Sequence, residues 1–466
     1  MQLQVAMKLE HDNMSAFEAR AAFSLASIYA FRMLGLFMIL PVFALYAHDL
    51  TGATPVLIGL ALGVYGLTQA IFQIPFGMSS DKFGRKRIIT IGLLLFAIGS
   101  VIAASSHSIT GVIIGRALQG AGAVGSTLIA LLADLTREEH RTKAMAVIGM
   151  VIGLSFSLAM VGGPILNNLF GVNGIFWLTA GLALVGILML YIAVPAPEQA
   201  MFHRDAEVEP AQLGRILRQP ELLRLDVGIF ALHGILTASF VVIPVALKDM
   251  AGMAESTQWA FYLPIFALAF FSMVPFIIIA EKKYKMKPVF LGAIATLAVA
   301  QLGLSLLHNS VWGIGVCLYI FMTAFTLLEA SLPSLIAKIA PAGSKGTAMG
   351  VYSCSQFFGI FIGGTVGGWL YGLHHVVGVF LFCASLALVW LCLASTMKKP
   401  KQVTTYMIKL GQITQEQASQ LNQHLMQLAG IHEALIQSDD GIVYLKVDKR
   451  VLDKDNLLEL VNRYTA

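Results

Sequence analysis

The stretch IPFGMSSDKFGRKRIIT (Ile74–Thr90) gathers Asp81, Lys82, Arg85, Lys86 and Arg87 into a polar knot between two segments that are almost wholly apolar. Its meaning depends on the composition around it. The residues AVILMFWYC make up 57% of the 466 residues and charged residues 12%. An ordinary soluble domain has about 45–50% apolar residues with Gly included and about 25% charged. Here the apolar residues also fall in runs of about 20 or more, long enough to cross a hydrocarbon core of roughly 30 Å as helix. The knot is a loop joining two membrane-spanning helices.

Outward from it, the candidate spans are 17–47, 54–79, 88–106, 110–135, 142–168 and 172–195, then 222–249, 256–280, 287–307, 311–339, 346–371 and 375–396. That makes twelve. The first is expected to persist rather than be cleaved as a signal, because it is far longer than a signal core and acidic Glu10, Asp12 and Glu18 precede its apolar run. The polar connection Pro195–Pro220 divides the spans six and six. The expected organisation is a tail (1–16), a six-helix bundle (17–196), a linker (197–221), a second six-helix bundle (222–397) and a soluble domain (398–466). A weak internal repeat crosses the linker: Asp81, Lys82 and Arg85 recur as Glu281, Lys282 and Lys285. Gly153, Gly162 and Gly163 of the fifth span are echoed by Gly359, Gly363, Gly364, Gly367 and Gly368 of the eleventh.

Orientation follows from Lys and Arg in the short loops. One set of connections carries Lys82/Arg85/Lys86/Arg87, Arg137/Arg141/Lys143, Arg204/Arg215/Arg218/Arg224, Lys282/Lys283/Lys285/Lys287, Lys338/Lys345 and Lys398/Lys399; the alternate set carries Lys248. Both termini are expected on the cytoplasmic side. The net charge of +5 is this topological signal and calls for no nucleic acid. Cys317, Cys354, Cys383 and Cys392 all fall within spans without zinc-type or CxxC spacing, so no metal site is expected.

GMSSDKFGRKR (Gly77–Arg87) resembles the loop between the second and third helices of the major facilitator superfamily, G-x-x-x-D-(R/K)-x-G-R-(K/R)-(K/R). GRALQGAGA (Gly115–Ala123) resembles the R-x-x-Q-G-x-G-A pattern in the fourth helix of its drug/proton antiporters. The likeness covers residues 17–397, and the soluble domain after the twelfth span narrows it to bacterial YajR-type transporters. The resemblance implies an all-α polytopic membrane protein of two six-helix bundles in a bacterial inner membrane, with alternating access and proton-driven export. The fifth span departs from the antiporter pattern G-x-x-x-G-P-x-x-G-G: it keeps Gly163-Pro164 but has Ala159 at the first glycine and Asn167-Asn168 at the last two.

The charge of the knot then divides. Lys82, Lys86 and Arg87 meet the anionic leaflet, while Gly77 and Gly84 allow close approach and a tight turn. Asp81 has no topological purpose, but at a helix end it can pair with Arg85 and accept from a neighbouring helix N-terminus. The resemblance implies that this neighbour is the eleventh helix, near Gly346–Gly350, with Asp134 as a second partner of Arg85. Together these residues would form a conformational latch that holds the two bundles in the outward-open state.

Ionisable residues inside spans are costly and point to function. Arg32, Arg116, His233 and Glu329 stand well inside the first, fourth, seventh and tenth spans, which by resemblance line the central cavity. Proton coupling needs a group that titrates near neutral and changes environment as the cavity opens. Glu329 and His233 are the candidates, while Arg32 and Arg116 keep their charge and would tune them or bind an anion. Each also has a structural alternative: Arg116 bonding backbone and Gln119, His233 as packing, Glu329 paired with an arginine. Asp226 is read as interfacial. Phe31, Met38, Gln69, Gln73, Phe240, Tyr262 and Phe357 are the cavity candidates for an amphiphilic substrate.

After Met397 the composition becomes that of a soluble segment. A strand (VTTYMIKL), a helix capped by Thr414, a hairpin of IHEALIQ and IVYLKVD across SDDG, and a closing helix give βαββα, a small α+β ferredoxin-like plan. The loop after the first strand reads GQITQE and lacks the CxxC of metal chaperones, so the domain's partner is left open. No P-loop, H-E-x-x-H or nucleophile elbow supports an enzyme. Transport is expected to run on a proton gradient without a cofactor, its partners being lipid, protons and a small-molecule substrate. Uptake of a nutrient or anion, and sensing through the C-terminal domain, are the alternatives.

Overall fold

Hydrocarbon offers the backbone no hydrogen-bond partners, so a crossing segment satisfies its own amides as helix. The computed structural model describes residues 14–195, 207–283, 285–341, 344–398, 404–410, 413–437, 442–448 and 451–464. The tail before Met14, linker residues 196–206 and the hairpin turn 438–441 lie outside the described residues. The helices are α1 (Ala16–Phe37), α2 (Leu40–Ala47), α3 (Pro55–Phe83), α4 (Arg85–Ser105), α5 (Ile109–Ala121), α6 (Gly125–Asp134), α7 (Glu138–Ile192), α8 (Pro210–Ile216) and α9 (Pro220–Val245). They continue with α10 (Gln258–Lys282), α11 (Met286–Leu307), α12 (Val311–Ile339) and α13 (Lys345–Ser395).

Among the described residues, ten helical stretches are long and apolar enough to cross a membrane. Two of them, Lys143–Ile192 and Lys345–Ser395, run 50 and 51 residues. At 1.5 Å per residue each would be about 75 Å long, more than twice the hydrocarbon core. Each breaks at one non-helical residue, Gly171 (φ 66°, ψ 176°) and His375 (φ 53°, ψ −158°), so ten stretches make twelve crossings. Two other spans, each expected as one run, are interrupted: the first at Met38–Ile39 between α1 and α2, the fourth at Gly122–Val124 between α5 and α6.

The bundles meet backbone to backbone along α3 and the first half of α13. A Cβ on Gly59 would lie 2.1 Å from the Gly364 carbonyl oxygen, and one on Gly63 2.7 Å from that of Phe361. This is the small-residue packing that lets membrane helices touch. Gly359 and Gly363 press instead on Phe230 and Gly234 of α9, so the glycine-rich helix serves both its own bundle and the seam. Pro55 against Gly368, and Asn168 donating to the Ser256 carbonyl at 2.8 Å, close the end of the molecule away from the termini.

The C-terminal domain comprises β1 (Thr404–Lys409), α14 (Gln415–Gln427), β2 (Ile431–Gln437), β3 (Ile442–Val447) and α15 (Lys454–Asn462). Its sheet order is β1-β3-β2 with both pairings antiparallel, so β1 and β2 run parallel on either side of β3 in a split βαβ arrangement. Thr414 and Gln417 cap α14 reciprocally, and Leu421, Leu425, Val443, Leu445, Val447 and Val461 form the core. Buried Lys446 leaves this domain to donate to the Lys338 carbonyl at 3.1 Å and to the Ala340 carbonyl, at the C-terminal end of α12. A cation there caps orphan carbonyls and complements the helix dipole. Burial lowers the Lys446 pKa from its ordinary value, an effect that nearby Glu433 opposes.

Candidate functional site

The N-terminal bundle holds its charge as guanidinium. Arg32 is 1% exposed; its Nη2 donates to the Gln69 side-chain oxygen at 2.9 Å and to the Tyr65 hydroxyl at 3.3 Å, while its plane lies 5.6 Å from the Phe96 ring. Gln69 in turn donates to Gln73 at 3.1 Å. Arg116 stacks 5.0 Å over the other aromatic partner, Tyr65, and donates to the Ala61 carbonyl and to Gln119, which donates to Ser100 at 2.7 Å. Arg116 therefore makes the backbone and Gln119 bonds that its spacing allowed.

The C-terminal bundle holds carboxylates and a histidine. His233 Nε2 lies 2.9 Å from the Gln356 amide and 3.8 Å from Glu329 Oε2, and Gln356 donates to Glu329 Oε1 at 3.4 Å. Glu329 thus meets Gln356 through Oε1 and lies beside His233, its Oε2 has no hydrogen-bond partner, and no arginine contacts it among the described residues. Its side chain keeps 31% exposure although Leu327, Leu328, Ser331 and Leu332 around it are buried, so it faces a space between the bundles. Asp226 lies near the start of α9, where it is 4% exposed and its Oδ1 has no hydrogen-bond partner. Tyr352 and Cys354 of α13 lie within electrostatic reach of it, so the burial comes from a distant helix folding over the start of α9.

Around Arg85 the structure brings Asp81 and Asp134 together, and adds a group from the linker. Arg85 is 3% exposed; it pairs with Asp81, donates to Ser80 at 2.8 Å, to Asp134 at 3.0 Å and to Glu207 at 2.7 Å. Gly84 turns the chain between α3 and α4 with φ +93°, a conformation that favours glycine, and Gly77 packs on Ser126 of α6. The eleventh span is reached differently from expectation. The residues on its first turns are linker ones: the Glu209 amide donates to Thr347 at 3.0 Å and Val208 packs on Gly350. Glu207 gave no sequence signal, since an acid in a polar linker reads as solvated.

Residues 25–364 match the family description Major Facilitator Superfamily. The chain belongs to the major facilitator superfamily. It is 46% identical over 447 residues to the inner membrane transport protein YajR of Escherichia coli (strain K12), covering 96% of this chain and 98% of that protein. It is 26% identical over 343 residues to the multidrug resistance protein MdtH of Aeromonas hydrophila subsp. hydrophila, covering 72% and 82%. A bacterial homologue of the human lysosomal transporter Spinster, solved in an inward-facing and occupied conformation, superposes with a TM-score of 0.67 at 15% identity, covering 83% of this chain and 98% of that one. As a major facilitator the chain is a multi-pass membrane transporter of small molecules and not an enzyme. In this major facilitator conformation Phe240 and Tyr262 are fully buried against each other, and Met38 and Phe357 are nearly so; all four pack in the core rather than line an open cavity. Phe31 is half-buried, and Gln69 and Gln73 serve Arg32. Tyr29, absent from the sequence candidates, lies within electrostatic reach of both Arg32 and Glu329.

Proposed function

We propose that this transporter is a proton-driven exporter of amphiphilic small molecules in a bacterial inner membrane, with both termini cytoplasmic. The observation that carries this is Glu329: a carboxylate mid-way along a membrane helix, hydrogen-bonded to Gln356, next to His233, and with 31% of its side chain exposed. A group of this kind can exchange a proton with whichever side the cavity opens to, and its charge then biases a two-state equilibrium. With the termini cytoplasmic, the seam of Gly59, Gly63, Gly364 and Gly368 closes the periplasmic end, and the conformation is inward-facing. The likeness to multidrug resistance proteins supports a greasy, adaptable cargo. Arg85, with Asp81, Asp134 and Glu207, holds the linker to the first bundle in this conformation and would act as the latch when the cytoplasmic end closes in the outward-open state.

The test is flux of a panel of amphiphilic dyes in proteoliposomes under an imposed pH gradient of each sign. Export coupled to protons predicts accumulation only when protons can run against the dye. Movement of dye in the same direction as protons favours uptake, and a gradient of either sign without effect overturns proton coupling.

A further inference from the structure

We infer that the cargo carries a negative charge and that Arg32 is the group that binds it. The inference rests on the transporter reading of the same cavity and narrows its substrate class. Arg32 is 1% exposed, cannot release its proton, and of its nitrogens Nε and Nη1 are buried without a hydrogen-bond partner. The groups that Nη2 touches, Tyr65 and Gln69, are neutral. Arg116 shares Tyr65 from the other side and also leaves Nη2 without a partner. Two guanidinium groups therefore flank one ring.

The carboxylates of this bundle that have described side chains are committed elsewhere. Glu18 holds Arg137 and His140, Asp81 and Asp134 hold Arg85, and exposed Asp49 lies at the end away from the termini. An isolated buried charge is among the costliest things a fold can contain, and an anion arriving beside it recovers much of that cost. Glu329 and Asp226 are the competing counter-charges. They belong to the other bundle, however, and Glu329 already faces His233 and Gln356. Tyr29 stands one helical turn before Arg32 and is half-buried, so the stretch of α1 that carries Arg32 is not closed over along its whole length. A carboxylate fits the chemistry of the site: its head would meet the Arg32 N–H groups that lack a partner in this conformation.

The experiment uses the purified full-length protein in detergent with three probes that share one ring system: 1-naphthylacetate, its neutral amide 1-naphthylacetamide, and the cation 1-naphthylmethylamine. The wild type should bind the carboxylate about tenfold more tightly than the amide, with the amine weakest, since a charged pair is worth about 1.4 kcal/mol or more here. Arg32→Gln should bring the carboxylate down to the affinity of the amide and leave the amide within about twofold, while Arg32→Lys should keep a reduced preference. Independently of any ligand, Arg32→Met should unfold at a higher temperature than the wild type, because it removes an uncompensated buried charge. No preference for the carboxylate in the wild type, a preference that survives Arg32→Gln, or an Arg32→Met protein that melts below the wild type each overturns the inference. Failure of the export proposal has a different signature: the carboxylate binds through Arg32, yet neither pH gradient drives flux. Proton-driven flux of cationic dyes without carboxylate preference overturns the anion inference and leaves export standing.

Discussion

The two bundles share a backbone plan and have opposite interiors. In the first, the first and fourth spans carry Arg32 and Arg116, each solvated by amides, hydroxyls and ring faces. In the second, the equivalent seventh and tenth spans carry His233 and Glu329, with Asp226 nearby. Arg32 and His233 lie about two hundred residues apart, the offset that also separates Asp81 from Glu281. The lesson is that one helical plan carries two chemistries at its central spans: the first and fourth hold fixed positive charge, the seventh and tenth hold groups that can gain and lose protons. On the proposals made above, anion recognition would be a task for the first half and proton exchange for the second.

The seam joining the halves should give the largest effect. Gly63→Leu puts a side chain where even a Cβ would lie 2.7 Å from the Phe361 backbone, and flux should fall by about a hundredfold while a cysteine at the end away from the termini becomes more reactive to a thiol reagent. Unchanged reactivity would show that the seam does not close that end.

The repeated loop sharpens the comparison next. Arg85→Ala takes the guanidinium away from buried Asp134 and Glu207, at a cost of about 3–5 kcal/mol for a broken buried pair, and transport should fall by about tenfold or more. Its counterpart Lys285 is exposed, so Lys285→Ala should stay within about twofold of wild type. Equal losses in flux would break the asymmetry. Glu207→Gln should weaken the latch less than Arg85→Ala, because it keeps a hydrogen-bond acceptor.

Smaller still is the docking of the C-terminal domain on the second half alone. Lys446→Met removes the ammonium from the Lys338 and Ala340 carbonyls, which is worth about 1.5–3 kcal/mol for a charged hydrogen-bond donor, and should speed protease cleavage between domain and bundle without unfolding either. The smallest effect lies at the turn each half makes inside its last helix pair. Gly171 and His375 both have positive φ, so exposed His375→Gly should raise stability by about 1 kcal/mol, read as a higher unfolding temperature, whereas Gly171→Ala should lower it by a similar amount.

The twelve crossings were legible because apolar runs of membrane length carry few competing signals, and the Arg85 partners were legible because an acid among bases at a helix end has few other uses. The breaks at Met38–Ile39 and Gly122–Val124 were not, since small and apolar residues look alike in a straight or an interrupted membrane helix. The burial of Asp226 was not legible, because Tyr352 and Cys354, within electrostatic reach of it, lie more than a hundred residues away in sequence. That Phe240 and Tyr262 are buried against each other in this conformation was not legible, because an aromatic residue gives no hint of whether its face meets a cavity or another ring. The unpartnered nitrogens of Arg32 depend on what each neighbour already bonds, which only the packed structure shows.

The central claim is that proton exchange belongs to the second half, at Glu329. Substrate-induced proton release, followed with a pH dye on unbuffered protein in detergent, tests it most directly. Wild type should release protons on binding substrate; Arg116→Gln, with its neutral network of Gln119 and Ala61 retained in part, should still release them; Glu329→Gln should bind substrate and release none. Proton release by Glu329→Gln equal to that of wild type would contradict the account and move the exchanging acid elsewhere, with Asp226 the next buried carboxylate to test.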